Sequence, residues 1–300
     1  MELLADQLNL TLDGWLTHHP GSVCCVLDSG GDDMAALLHV NVDQRECNSL
    51  LTRLNLRAAQ LPSELLPSLV RLTPENWQLR QRTVEIALND LDERRAPRVC
   101  GWIASGASAH TVQMGVESSL LRTAPNRKRF LFRHHDPRVR ACLTALLGDR
   151  WMSSVVSGMR AWLFVGLDKL AQETSGCSEG GIDGLNSIRV HQVISRCEEI
   201  NQAIEIAQEQ GWAFQASAYG LADAAISRAE ALAFHGAADR LAYMLHALTL
   251  TPQFDSHPDI HAILREASAS GETYLEAMAR IPAHTWQAVQ SLASPEVPTT

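Results

Sequence analysis

Lysine is nearly absent from this chain. Lys128 and Lys169 are the only two among 25 basic residues, and the other 23 are arginine. Genomic base composition is enough to produce such a bias; arginine also supplies planar groups that pair bidentately and desolvate readily at protein interfaces. No apolar run approaches the length of a membrane span, and the amino terminus has no basic segment followed by an apolar one. The expectation is a cytoplasmic protein without membrane insertion. The seven cysteines (24, 25, 47, 100, 142, 177 and 197) form no C-x-x-C pair, and several fall within apolar stripes, so they read as small buried hydrophobes. Also missing are a G-x-G-x-x-G turn, a Walker lysine and a G-x-S-x-G elbow. No period of thirty to forty residues marks a repeat array.

What is present is an ordinary globular composition, 46% hydrophobic over 300 residues, with an uneven charge. Residues 1–168 carry 18 basic and 18 acidic side chains, whereas residues 169–300 carry 7 and 16. The whole net charge of −9 therefore belongs to the second part, a surface that repels nucleic acid.

The first part alternates strand and helix signals. Leu4, Leu8, Leu12, Trp15 and Leu16 predict a helix over residues 1–19, and Val23 to Leu27 a buried strand. Asp28-Ser29-Gly30-Gly31-Asp32-Asp33 is a turn whose aspartates would repel phosphate, and a helix is expected from Met34. After an amphipathic segment over 48–61, Ser68–Leu72, Val99–Ala104 and Trp162–Val165 read as strands, with helices starting near Thr73 and over His110–Leu121. Residues 171–186 are polar and rich in Gly and Ser, a linker or exposed loop. Beyond it only helical stripes occur, from Val190 to residue 280. The expected architecture is an α/β lobe with a mixed sheet flanked by helices over 1–170, an all-α lobe over 187–293, and a flexible tail over 294–300.

The densest local code runs from Arg129 to Gly148. Arg129–Arg133 predicts a short strand with Phe130 and Phe132 on one face. Asp136 is placed to cap the next helix, Pro137 suits its first position, and Val139, Cys142, Leu143, Leu146 and Leu147 form one stripe ended by Gly148. Pairing of Arg133 with Asp136 would hold the turn rigid. Phe132-Arg133-His134-His135-Asp136-Pro137-Arg138-Val139 resembles the F-R-[YFH]-x-D-P-R-V/L signature of bacterial type VI secretion adaptors, the Tap/Tec effector chaperones. Three weaker pieces resemble that family in the same order: Val23–Asp28, Leu66–Leu72 and Cys100–Ser105. The likeness covers roughly residues 20 to 168. It departs where the family commonly has tyrosine before Asp-Pro, here His134 and His135, and in lacking an aromatic in the first strand.

The resemblance implies a cytoplasmic bacterial adaptor that binds a secreted effector toxin and loads it onto the spike protein VgrG. Phe132, Arg133, Asp136, Pro137, Arg138 and Val139 would be its motif. Phe132 and Val139 are then expected in the core, Asp136 and Pro137 in the turn, and Arg133 and Arg138 partly exposed. Arg127, Lys128, Arg129 and Arg140 form a candidate basic patch for an acidic segment of a partner. No enzyme activity, cofactor or metal is expected. The competing reading is a metal-dependent phosphohydrolase or other hydrolase built on His134, His135 and Asp136. His257 and His261 are a weaker metal pair, since Pro258 starts the helix between them. Ser105 and Ser108 read as turn and cap formers rather than nucleophiles.

Overall fold

The computed structural model describes residues 1–19, 23–28, 50–54, 56, 66–124, 127–156, 158–176 and 188–293. It divides into two compact units, Met1–His191 and Gln192–Thr300. Helix α1 (Glu2–His18) buries Leu4, Leu8, Leu12 and Leu16, one residue per turn on a single face. The strands β1 (Val23–Leu27), β2 (Leu51–Arg53), β3 (Ser68–Leu72), β4 (Val99–Ala104), β7 (Ala161–Val165) and β8 (Ala171–Ser175) form one sheet in the order β2-β3-β1-β4-β7-β8. Every pairing in it is antiparallel. The crossover from β3 past β1 to β4 carries helix α2 (Trp77–Asp92), and α3 (Ala109–Leu120) lies in the chain between the neighbouring strands β4 and β7.

β1 and β4 are buried at every position because both faces of the sheet are covered. Val23, Cys25 and Leu27 of β1 join α1, α2, Trp102 and Leu163 in one apolar core. By the two-residue alternation of a strand, Cys24 and Val26 face the opposite side. Trp102 Nε1 donates to Thr83 Oγ1 at 3.0 Å, which satisfies the polar atom of the largest core ring. Gly101, at φ +129°, permits the close approach of β7: a Cβ there would lie 2.4 Å from the Leu163 carbonyl oxygen. The β1–β4 ladder shifts register at this point, pairing Val26 with Gly101 but Leu27 with Val99, so Cys100 is the extra residue of a β-bulge.

A second ladder joins β5 (Leu121–Thr123) to β6 (Arg129–Leu131). Helices α4 (Pro137–Leu147) and α5 (Asp149–Val155) follow, sharing Gly148, whose φ of +86° suits glycine. The polar stretch beginning at residue 171 is not wholly a linker. Ala171–Ser175 is the edge strand β8, paired along its length with β7. Its composition looked loop-like because an edge strand exposes alternate side chains, and here Thr174 alone is buried. The turn at 29–33, the helix expected from Met34, the rest of the expected linker from 177 and the tail 294–300 lie outside the described residues.

The helices α6 (Ile188–Glu209), α7 (Ala218–Ala231), α8 (Ala237–Thr249), α9 (Pro258–Ser270), α10 (Tyr274–Ala279) and α11 (Ala283–Ala293) complete the chain. The fold class is the one expected, an α/β part followed by a helical part. Buried alanines on α7 (218, 222, 225 and 229) allow α8 to pack closely. Arginines join the helices of the second unit: Arg196 bonds Asp223 and Glu230, Arg240 bonds Glu199 at 2.6 Å, and Arg228 bonds Asp255 at 3.0 Å. Phe254, Tyr243, Tyr274, His246 and Trp286 form its aromatic cluster.

Candidate functional site

The turn between β6 and α4 is built from local chemistry. Asp136 adopts an extended conformation and its Oδ1 accepts from the backbone N–H of Arg138 at 2.9 Å, capping the helix. Pro137 occupies the first turn, where its missing N–H leaves nothing unpaired. The Arg138 guanidinium closes over the same carboxylate, with Nη2 donating to Oδ2 at 2.9 Å. Phe132 is buried, 5.1 Å from the His134 ring and 6.1 Å from the Trp151 ring between centroids.

Two expectations about these residues are corrected. Arg133 does not pair with Asp136. Its Nη2 donates to Asp28 Oδ2 at 2.7 Å, across 105 residues of sequence, while the cap carboxylate is taken by Arg138. Val139 is only half-buried, because the helix turns Arg140, Ala141, Cys142 and Leu143 inward instead.

The four residues of the expected basic patch do not share one surface. Arg127, Lys128 and Arg129 are exposed, but Arg140 is wholly buried. Its guanidinium lies over the Trp162 ring at 3.9 Å and near Phe164 at 5.6 Å, both on β7. Its Nη2 donates to His134 Nδ1 at 2.9 Å. Among the described residues no carboxylate bonds it, and burial lowers its pKa to about 9, which leaves it cationic at neutral pH. The charge is held by ring faces in place of an ion pair. Alternating aromatics at Trp162 and Phe164 were visible in the sequence, but nothing in it assigned them a cation.

The two adjacent histidines do different things. Ser119 Oγ donates to the Val116 carbonyl at 2.7 Å, so its 2.7 Å contact with His134 Nε2 makes that nitrogen the donor. Nδ1 then accepts from Arg140, and the imidazole is neutral. Burial, with Arg140 next, holds its pKa well below the usual histidine value. His134 thus has both nitrogens occupied, and the Asp136 carboxylate is occupied by the cap and Arg138. The trio His134, His135 and Asp136 is not brought together as a catalytic constellation. His135 is equally buried but turns toward Asp28 and Cys100.

The serines behave as turn formers. Ser105 is buried and its Oγ accepts from Ala107 N at 3.0 Å, and Ser108 caps α3 by accepting from Thr111 N at 3.3 Å. His257 is the N-cap residue of α9, ahead of Pro258. No helix among the described residues is long and apolar enough to cross a membrane.

A family model described as a domain of unknown function (DUF4123) matches residues 30–153. That span contains the 132–139 turn and ends before the helices of the second unit. Neither curated proteins nor solved structures give a match to this chain.

Proposed function

We propose that this protein is a cytoplasmic adaptor that binds a type VI secretion effector and helps load it onto the spike protein VgrG. Its work is to hold another protein rather than to make or break bonds. The reading rests on the Phe132–Val139 signature, which resembles that of the secretion adaptors and falls inside the matched family span. The local chemistry supports it. The Asp136 carboxylate is taken up by the Arg138 backbone and guanidinium, and the His134 ring by Ser119 and Arg140, as a rigid scaffold requires. Arg127, Lys128, Arg129 and Arg133 remain at the surface of that scaffold, a set of arginine-rich anchors for a partner. In this reading the adaptor covers an apolar stretch of the effector, keeps it soluble and yields it on docking to the spike.

Co-expression of the chain with a candidate effector toxin and with VgrG tests this. A complex that co-purifies through size exclusion is expected. A chain that elutes alone from both partners, or that hydrolyses phosphoesters when purified, would remove the proposal.

A further inference from the structure

Three side chains from distant parts of the sequence meet at the end of the main sheet. Asp28 directly follows β1, and its N–H donates to the Arg98 carbonyl at 2.9 Å, which ties it to the entry of β4. Cys100 is the bulged residue of β4, released from the ladder and so aimed differently from its neighbours. His135 comes from the turn before α4. One carboxylate oxygen, the thiol sulfur and one imidazole nitrogen all lie within 4.8 Å of one another.

His135 is the unexplained member. Its side chain is 1% exposed, and neither ring nitrogen has a hydrogen-bond partner among the described residues. The nearest carboxylate oxygen, Asp28 Oδ1, is 3.8 Å from Nε2, beyond hydrogen-bond reach. A buried imidazole with two idle nitrogens is costly unless something else engages it. His134, one residue earlier, has both of its nitrogens engaged.

We infer that Asp28, Cys100 and His135 bind a zinc ion that joins β1, β4 and the motif turn. A thiol, an imidazole and a carboxylate suit zinc, whereas calcium and magnesium take oxygen donors. Zinc takes four ligands, and water on the side of Asp28, the one partly exposed member, completes the set. Arg133 already holds the other oxygen of Asp28 at 2.7 Å, an outer contact of the kind that orients a metal-bound carboxylate. The competing use of a Cys–His pair, nucleophilic catalysis, does not suit this place. Cys100 is 1% exposed, and burial, reinforced by the Asp28 and Asp136 carboxylates, pushes its thiol pKa well up. A divalent cation reverses that balance by displacing the thiol proton as it binds. The site stands independently of the adaptor reading and departs from the sequence expectation of no metal.

The test uses the 300-residue chain, stripped with chelator under reducing conditions and titrated with zinc chloride, cobalt chloride or magnesium chloride. The expected results are one equivalent of zinc bound, a higher melting temperature with zinc but not magnesium, and a thiolate-to-cobalt charge-transfer absorption. Cys100→Ser should abolish that absorption, and His135→Gln and Asp28→Asn should each weaken zinc binding at least tenfold. Far-ultraviolet circular dichroism reports whether each apo variant is folded. Asp28→Asn, at the partly exposed position, serves if the buried variants do not fold. No charge-transfer band in the wild type, a band that survives in folded Cys100→Ser, or unchanged zinc affinity in Asp28→Asn would overturn the inference.

Discussion

The guanidinium carbon of Arg140 sits 3.9 Å from the centre of the Trp162 ring, with no exposure to solvent. A cation–π contact of this kind contributes about 2 kcal/mol or more once water is removed. The same arginine donates to His134, so one side chain links α4, β7 and the motif turn. Arg140→Ala should therefore cost about 3 kcal/mol or more, combining a cavity with the lost contact. An exposed patch residue such as Arg129→Ala should stay within about 0.5 kcal/mol. Urea unfolding of the two variants separates them, and equal midpoints would show that Arg140 is not held as described.

The cap at Asp136 makes a graded prediction. Asp136→Ala removes the acceptor for both the Arg138 backbone N–H and its guanidinium, so a loss of about 1–2 kcal/mol is expected. Asp136→Asn keeps a cap and should recover most of it. Thermal melts of the pair, with binding of the effector measured separately, distinguish a structural aspartate from one whose charge contacts a partner.

Gly101 tests the approach of β4 to β7. Any side chain there meets the Leu163 carbonyl at 2.4 Å and Trp162 Nε1 at 2.8 Å, in a backbone conformation of φ +129°. Gly101→Ala should cost at least about 3 kcal/mol, because backbone strain and overlap add. Its yield of soluble protein and its denaturation midpoint are the measurements. A wild-type midpoint would mean that β7 can withdraw at no cost.

His246 predicts an acid-sensitive second unit. Burial lowers its pKa to about 4, and its Nδ1 lies 2.5 Å from the Tyr274 hydroxyl. The unfolded chain takes up a proton near pH 6.5 and the folded chain does not, so the unfolded state binds more protons below that pH. Stability from this residue is complete above pH 6.5 and falls as pH drops toward 4, by up to about 3 kcal/mol. His246→Gln should flatten this part of the curve. The gap between wild type and variant, followed by chemical denaturation from pH 7 to pH 5, should narrow as pH falls.

On the adaptor role proposed above, the acidic excess beyond residue 169 predicts that partner choice resides in the helical part. Exchanging the helical part between two adaptors should exchange their effectors, and association should slow as salt rises, because long-range charge steers encounter. Pull-downs of each chimera against both effectors read the result. Effector choice that stays with the first part would exclude this role for the helices.

The sequence by itself determined what depends on near neighbours. The Asp136 cap, Pro137 in the first turn, the glycine at 148, the alternation of buried strands with helices and the later all-helical pattern are all set within a few residues, where backbone hydrogen bonding and side-chain periodicity act directly. Tertiary structure alone decided the rest. Arg140 and Arg129 carry the same group in the same basic run, yet only Arg140 finds aromatic faces from β7 to receive it. His134 and His135 are consecutive, yet Ser119 and Arg140 occupy one while the other meets Asp28 and a cysteine displaced by a bulge. The polar strand β8 became a strand because β7 offered it an unpaired edge. Each of these outcomes depends on groups brought together from across the chain, and no local pattern of hydrophobicity records which distant strand will arrive.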